Sequence, residues 1–547
     1  MEIQFCGAAT GVTGSCHLLT SGEHKILLDC GMFQGGKAME QLNRDPFPFD
    51  PAEIECVVIS HAHIDHCGRL PLLVRQGFNG PIYATDATAD LLGVMLRDSA
   101  HIHEQDAEQV NRKRRRANAP EIVPLYTMND AEAAIRLIVP RHYDQLFELN
   151  DRMKVVYNDA GHILGSAIVE LWVTEGEKTS KIVFSGDLGM PHRPILKDPT
   201  FIKKADYVIM ETTYGNRLHE AAETSISSLI NIAIETTKRG GNVIIPSFAV
   251  GRTQELIYEL NKVYDGTGPA HDALKDVPVY VDSPMALAAT EVFKNNAHIY
   301  DEEATEYILR GDHPMEFEGL HFVETSEESK ALNGDGIPKI ILSASGMCDA
   351  GRIRHHLKHN LWDEKNSIVF VGYQAEGTLG RTLIEGAKTV TLFGEEINVA
   401  AEVYNLEGFS GHADRDVLYK WITGFKDKKP STIFLVHGEH DAKVDFAAYL
   451  KEHAGWDATV VSGFDVFELD KGGTLVKDEA EHEFVSDEEV AKVRMRISAM
   501  HRQLENILYG TDLAMQTEID TERLTDIKNA VADLESGVLK LAASVGK

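Results

Sequence analysis

Short apolar runs that end in chemically capable residues recur along this chain. Ile3 to Cys6, His17 to Leu19 and Lys25 to Asp29 read as strands, and the Gly-, Ala- and Thr-rich stretch Gly7 to Gly14 as a tight loop between the first two. Cys56-Val57-Val58-Ile59 is an uninterrupted apolar run with two valines and an isoleucine, the signature of a buried strand. Gly68 to Leu73 predicts a helix, and the pattern from Thr85 to about Leu137 turns helical and polar. Strands return with Met153 to Tyr157, Ile168 to Val173, Lys181 to Phe184 and Tyr207 to Met210.

The middle of the chain alternates helical and strand patterns as an α/β domain would. Thr224 to Arg239 predicts an amphipathic helix, Asn242 to Pro246 a strand, and Ser247 to Glu255 the opening of another helix. Further strands are expected at Lys339 to Leu342 and Ser367 to Gly372, with a helix from Gly351 between them, and at Thr432 to Val436. Near the end, Val490, Val493, Ile497, Met500 and Leu504 step by three and four, as do Leu524, Ile527, Val531, Leu534, Val538 and Leu541. With Gly510 between the two runs, this predicts a helical hairpin that packs on its own domain or on a second subunit.

Composition changes the picture in two places. A chain of 547 residues should hold two or three domains. Its net charge of −31 argues, taken alone, against a nucleic-acid partner. Net charge is a property of the whole surface, however, and a metal centre with a few arginines can hold a local positive field. Six cysteines without paired spacing fit a reducing cytoplasm, and no apolar run reaches membrane-spanning length. The most basic run, Arg112-Lys113-Arg114-Arg115-Arg116, reads first as a solvated helix face and second as a phosphate contact.

The candidate chemistry sits where strands end. Ser60-His61-Ala62-His63-Ile64-Asp65-His66 follows the strand at Cys56. Side chains two apart in extended backbone point the same way, so His61 and His63 can grip one ion while Asp65 and His66 face a second. Imidazole and carboxylate without thiolate suit zinc, and manganese or iron is compatible. His162 lies between two glycines, and Asp187 ends an apolar strand in a glycine-lined turn, where its carboxylate can bridge two ions. Glu211 repeats the scheme, and His412 and His437 follow later. Asp29 either orients a ligand histidine or simply forms the turn before Gly31. Three small-residue loops in the middle segment, around Ser247 and Arg252, around Ser345 and Gly346, and at Arg381, offer amides, hydroxyls and arginines to an anion.

In this order the residues resemble a known family. Asp29, His61-x-His63-x-Asp65-His66, His162 and Asp187 are similar to the metal-binding motifs of the metallo-β-lactamase fold. Glu211, His412 and His437 look like the extra motifs of the β-CASP nucleases, the group that includes ribonuclease J and the cleavage and polyadenylation endonuclease. Ile245 to Arg252 and Ser345-Gly346-Met347 resemble that group's inserted cassette. The resemblance covers roughly residues 1–475 and implies an α/β fold, a metallo-β-lactamase αββα sandwich with an inserted β-CASP domain. It divides the chain into 1–210 and 404–480 for the lactamase domain and 211–403 for the insert, with the helical hairpin at 486–547.

The resemblance further implies one metal on His61, His63, His162 and Asp187, and a second on Asp65, His66, Asp187 and His437. Two divalent ions, zinc before manganese, would activate hydroxide to hydrolyse RNA phosphodiester bonds, leaving 5′-phosphate and 3′-hydroxyl ends. His412, oriented by Glu211, is the implied general acid, and Asp65 counts with the catalytic set. Ser247, Arg252, Ser345, Gly346 and Arg381 would hold RNA phosphates. The expected partner is single-stranded RNA in the cytoplasm, with no membrane and with a homo-oligomer formed through the C-terminal helices. The alternatives are a phosphodiesterase acting on DNA or another substrate, and a non-catalytic RNA-binding subunit.

Overall fold

The computed structural model of the protein describes residues 1–220, 222–374, 377–469 and 473–477. The expected helical hairpin at 486–547, and the oligomer expected through it, lie outside the described residues.

Among the described residues, two mixed sheets stack face to face. The first runs in the order Thr474–Lys477, Val466–Glu468, Glu2–Phe5, His17–Ser21, His24–Leu28, Cys56–Val58, Ile82–Thr85 and Ile138–Arg141. The second runs Thr459–Val460, Thr432–Val436, Tyr207–Glu211, Lys178–Phe184, Ala167–Glu175, Met153–Asp159 and Phe147–Glu148. Alternation along the strands explains the stacking. Ile3, Phe5, Ile26, Leu28 and Val58 from one sheet meet Val155, Tyr157, Val169, Leu171, Phe184 and Ile209 from the other in one buried core. Each such side chain contributes about 1.5–3 kcal/mol relative to staying exposed, so the register of both sheets is strongly fixed.

Helices cover the outer faces. Arg415–Ile422 and His440–Ala454 bring Leu418, Trp421, Phe446 and Leu450 onto the second sheet. On the first sheet, the helix predicted over Gly68 to Leu73 is Leu70–Arg75, and a separate short helix, Ile64–Cys67, precedes it. Gly68 caps the first, and Pro71 stands in the opening turn of the second, where its missing N–H costs nothing. The long helical stretch divides into Asp86–Arg116 and Met128–Ile135, because Pro120 and Pro124 cannot continue a helix. The basic run closes the first of these, where cations suit the negative end of the dipole. Arg112 and Arg115 pair there with Glu108, at 3.2 and 2.7 Å.

A third, all-parallel sheet belongs to the inserted segment, in the order Leu320–Phe322, Val279–Asp282, Ile340–Ser343, Val243–Pro246, Ser367–Phe370 and Glu402–Asn405. Its last strand spans the expected boundary at 403. Among the described residues no helix is long and apolar enough to cross a membrane, and all six cysteines are buried free thiols.

Candidate metal centre

Parallel registers gather the candidate residues at one edge. Leu28 pairs with Val58, so the residues that follow both strands, Asp29 and Ser60-His61, leave the first sheet side by side. In the second sheet Phe184 pairs with Ile209 and Glu211 with Val436, which aligns Asp187, Glu211 and His437 in the same way. The turn between Met153–Asp159 and Ala167–Glu175 supplies His162. Asp29 and His437 both adopt left-handed backbone, at φ 61° and 48°, a conformation that non-glycine residues adopt at a cost and that clusters at functional sites. At Gly31 a side chain is impossible, since a Cβ would lie 1.6 Å from the Asp65 carbonyl oxygen.

Two donor sets result. His63 Nδ1 lies 3.1 Å from His61 Nε2 and 3.2 Å from His162 Nε2, and the latter two lie 3.5 and 3.6 Å from Asp187 Oδ2. His66 Nε2 lies 3.1 Å from His437 Nε2 and 3.3 Å from that same Asp187 oxygen, and His437 Nε2 lies 3.5 Å from Asp65 Oδ2. Four donors around a tetrahedral zinc at its usual bond lengths would stand about 3.4 Å apart, so the first set fits one, while Asp65, His66 and His437 form a second group of three whose ligand atoms lie within 4.8 Å of one another. Asp187 Oδ1 is buried with no hydrogen-bond partner among the described residues, His437 Nδ1 standing 3.5 Å away. A buried carboxylate oxygen in that state is costly unless a cation faces it.

The titration behaviour agrees with cation binding. Burial lowers His61, His162 and His63, the last to about 4, which leaves all three as neutral donors at neutral pH. Burial opposes charge on Asp187 too, yet His437, His66 and His412 hold it well below the usual carboxylate range. His66 behaves differently. Burial would lower it, but Asp187 and Asp29 outweigh that and raise it. A cation bound beside these carboxylates would therefore displace a proton from His66.

Asp29 serves the site through hydrogen bonds. Its Oδ2 lies 2.7 Å from His66 Nδ1 and accepts from the Ser60 and Ser15 hydroxyls at 2.9 and 3.0 Å, while Oδ1 accepts from the Ser60 amide at 2.8 Å. Glu211 is similarly engaged. Its Oε1 accepts from the Leu188 amide at 2.7 Å and lies 3.2 Å from His412 Nδ1, and Oε2 accepts from the Thr213 amide at 3.2 Å. Asp187, Glu211 and His412 also lie close enough to hold an ion. Because Glu211 already has three donors, it suits orienting the imidazole better than ligating. Burial would lower His412, but Glu211 and Asp187 push it up to about 9.

The inserted segment contributes the loops after three neighbouring strands. Ser247 Oγ bonds Thr253 Oγ1 at 2.9 Å, Ser345 Oγ donates to the Ala350 carbonyl at 3.3 Å, the Gly346 carbonyl accepts from Gln374 at 3.0 Å, and Arg381 Nε donates to Glu385 at 2.6 Å. Arg252 pairs with Glu255 and lies over the Phe409 ring. It reaches the edge of the centre: a Cβ built on Gly411 would touch His162 at 3.4 Å and Arg252 Nη2 at 4.0 Å. Sequence reasoning missed Ser15, Thr213 (whose hydroxyl lies 3.1 Å from His437 Nδ1) and His219 (whose Nε2 lies 3.2 Å from the His412 carbonyl). No motif spacing marks them.

Comparison with known proteins finds three family models along the chain. The model of the metallo-beta-lactamase superfamily matches residues 9–246, that of the Beta-Casp domain residues 253–383, and that of a Zn-dependent metallo-hydrolase RNA specificity domain residues 396–461. Ribonuclease TTHA0252 of Thermus thermophilus is 40% identical over 441 residues, 81% of this chain and 94% of its own length. Transcription termination factor FttA of Methanocaldococcus jannaschii is 33% identical over 457 residues, 82% of this chain and 68% of its own. Its counterpart in Pyrococcus horikoshii is 32% identical over 486 residues, 86% and 71%.

Proposed function

The chain belongs to the β-CASP proteins of the metallo-β-lactamase superfamily, and on that premise we propose that it is a metal-dependent ribonuclease. One observation carries the reading. A single oxygen, Asp187 Oδ2, stands beside both donor sets at 3.3 to 3.6 Å from His61, His66 and His162. The residues present suit two divalent cations, zinc first and manganese second: His61, His63, His162 and Asp187 would hold one, and Asp65, His66 and His437, with Asp187 beside them, would hold the other. Bound there, the ions would supply Lewis acidity toward a phosphate and would acidify water at neutral pH.

The rest of the chemistry falls to side chains. Asp29 fixes the tautomer and orientation of the His66 ring through Nδ1, leaving Nε2 for the metal. Thr213 does the same for His437. Glu211 holds His412 through Nδ1 and keeps it protonated, so its other nitrogen can give a proton to the departing ribose oxygen. That proton transfer, with water attacking phosphorus, leaves a 5′-phosphate and a 3′-hydroxyl. Arg252, Ser345, Gly346 and Arg381 would line the path of the backbone phosphates, whereas Ser247, 1% exposed and bonded to Thr253, would brace the Arg252 loop from behind. Such contacts read charge and shape more than base identity, which suits single-stranded RNA.

The test is a 5′-labelled single-stranded RNA bearing a 5′-monophosphate, incubated with zinc or manganese, with and without EDTA, beside the matched DNA. RNA fragments that vanish with chelator are expected. Internal fragments mean endonuclease action, and immediate release of the labelled mononucleotide means 5′ exonuclease action. RNA left intact under all metal conditions would refute the reading, and equal cleavage of DNA would widen it to a general phosphodiesterase.

A further inference from the structure

Two guanidinium groups from different parts of the fold meet on one carboxylate oxygen beside the centre. Arg193 lies shortly after Asp187 in the lactamase-like part, whereas Arg252 and Glu255 open the helix Arg252–Tyr264 of the inserted part. Arg193 Nη2 and Arg252 Nη1 both donate to Glu255 Oε2. Arg193 also donates to the carbonyls of Phe409 at 3.2 Å and Gly408 at 3.4 Å, in the segment that leads to His412. The three side chains are 6, 9 and 10% exposed for Arg193, Arg252 and Glu255.

Two cations on one anion leave a surplus positive charge in a largely desolvated position, which is costly until another anion arrives. The strain shows at Arg252, which burial lowers to about 10 and which Arg193 disfavours further, against the help of Glu255. If Glu255 faced Arg252 alone, the pair would be neutral and would offer little to a phosphate. We propose that Arg193 is a positioning residue: by sharing Glu255 it keeps a net positive charge on Arg252 for a substrate phosphate, and it ties the His412 segment to the inserted domain. This inference rests on the ribonuclease reading, because it takes RNA phosphates as the anion.

Charge and packing roles can be separated. Arg193→Met, Glu255→Gln and the double variant are compared with wild type, all metal-loaded and full-length, by fluorescence anisotropy with a labelled single-stranded RNA joined by phosphorothioate linkages, across a salt series. Steady-state cleavage of ordinary RNA supplies KM and kcat. Arg193→Met is expected to weaken binding about 10-fold and to reduce the slope of log K against log salt by about 0.7, the loss of one effective phosphate contact on a single strand. KM should rise more than kcat falls. Removing the anion instead has the opposite sign: Glu255→Gln should bind at least as tightly as wild type with a steeper slope. The double variant should recover to within about 3-fold of wild type, since local net charge is restored.

A double variant no better than Arg193→Met, or slopes that do not change, would overturn the proposal in favour of mere packing. If Arg193→Met does not fold, Glu255→Gln alone decides: weakened binding or an unchanged slope overturns the charge argument. Wild type that neither binds nor cuts RNA would sink the ribonuclease reading and this inference with it. Wild type that does both, beside an Arg193→Met variant indistinguishable from it, would sink only the inference.

Discussion

The two sides of the proposed RNA path, the lactamase-like wall and the inserted wall, are built on opposite plans. On the lactamase-like wall, strand ends deliver groups of histidine and aspartate donor atoms that lie within 4.8 Å of one another, and Asp187 Oδ1 has no hydrogen-bond partner among the described residues, with His437 Nδ1 3.5 Å away. On the inserted wall, the side chains expected to hold phosphates already have protein partners: Ser247 with Thr253, Arg252 with Glu255, Ser345 with Ala350 and Arg381 with Glu385. The first wall is preorganised for a cation and stores a cost that a cation relieves. The second, apart from the surplus charge that Arg193 leaves at Arg252, must trade one partner for another when an anion binds. Large effects on metal content and rate therefore belong to the first wall, and small effects on affinity to the second.

The contrast is sharpest at Asp187. Asp187→Ala removes the oxygen beside both donor sets, so metal content and activity should vanish together. Elemental analysis of the purified variant, alongside cleavage of labelled RNA, checks this. Full metal occupancy would show that the two donor sets are independent, and the bridging role would be lost.

His412→Ala should separate the two losses, retaining metal but slowing cleavage by about two to four orders of magnitude, the usual size of a general-acid contribution. The pH profile adds a sign. His412 is raised to about 9, so its acid form is present through neutrality and kcat should fall as pH rises through about 9. The stability that its carboxylate partners confer is complete below the ordinary histidine range of about 6.5 and is lost over the same rise. Glu211→Gln removes the main favourable charge, which should move the alkaline limb down toward that ordinary range. A limb that stays in place in the variant would detach His412 from the rate.

Much of this was legible in the chain, and the reason is physical. A residue after an apolar run is placed by the ladder that the run forms, and parallel registers such as Leu28 with Val58 and Glu211 with Val436 put successive strand ends on one edge. That is why residues as far apart as Asp29 and His437 could be gathered in advance. Helix limits were less legible: the four-residue helix Ile64–Cys67 is too short to show a period, and the helical pattern from Thr85 carries straight through the prolines after Arg116. Arg193 was invisible. Its partners, Glu255 and the Gly408 and Phe409 carbonyls, are distant in sequence, and a lone arginine in a loop has no pattern to mark it. The left-handed backbone of Asp29 and His437 could not be read either, since neither residue type demands it.

Asp29→Asn tests the support beneath the metal wall rather than the wall itself. The substitution keeps the size of the side chain but removes the charge that faces His66 and one acceptor for the Ser15, Ser60 and His66 donors. Metal affinity should fall about 10- to 100-fold, the usual cost of losing a partner behind a ligand. Competition with a chelator of known affinity measures it, and unchanged affinity would reduce Asp29 to a turn residue before Gly31.

The smallest effect is expected on the second wall, at Arg381. Its partner Glu385, four residues on, is the C-cap of the helix Leu379–Ile384, and the two side chains are 36 and 59% exposed. Pairs this open contribute about 0–1 kcal/mol, so Arg381→Ala should barely move the melting temperature. An RNA phosphate arriving there replaces one anion by another, and most of the Coulomb gain cancels. We therefore expect KM to rise only about 2- to 5-fold, with kcat and metal content unchanged. Initial rates over a range of RNA concentrations settle the value. A rise of about 100-fold, near 2.7 kcal/mol, would mean that Arg381 leaves Glu385 for a contact built to receive it. The second wall would then be as preorganised for phosphate as the first is for metal.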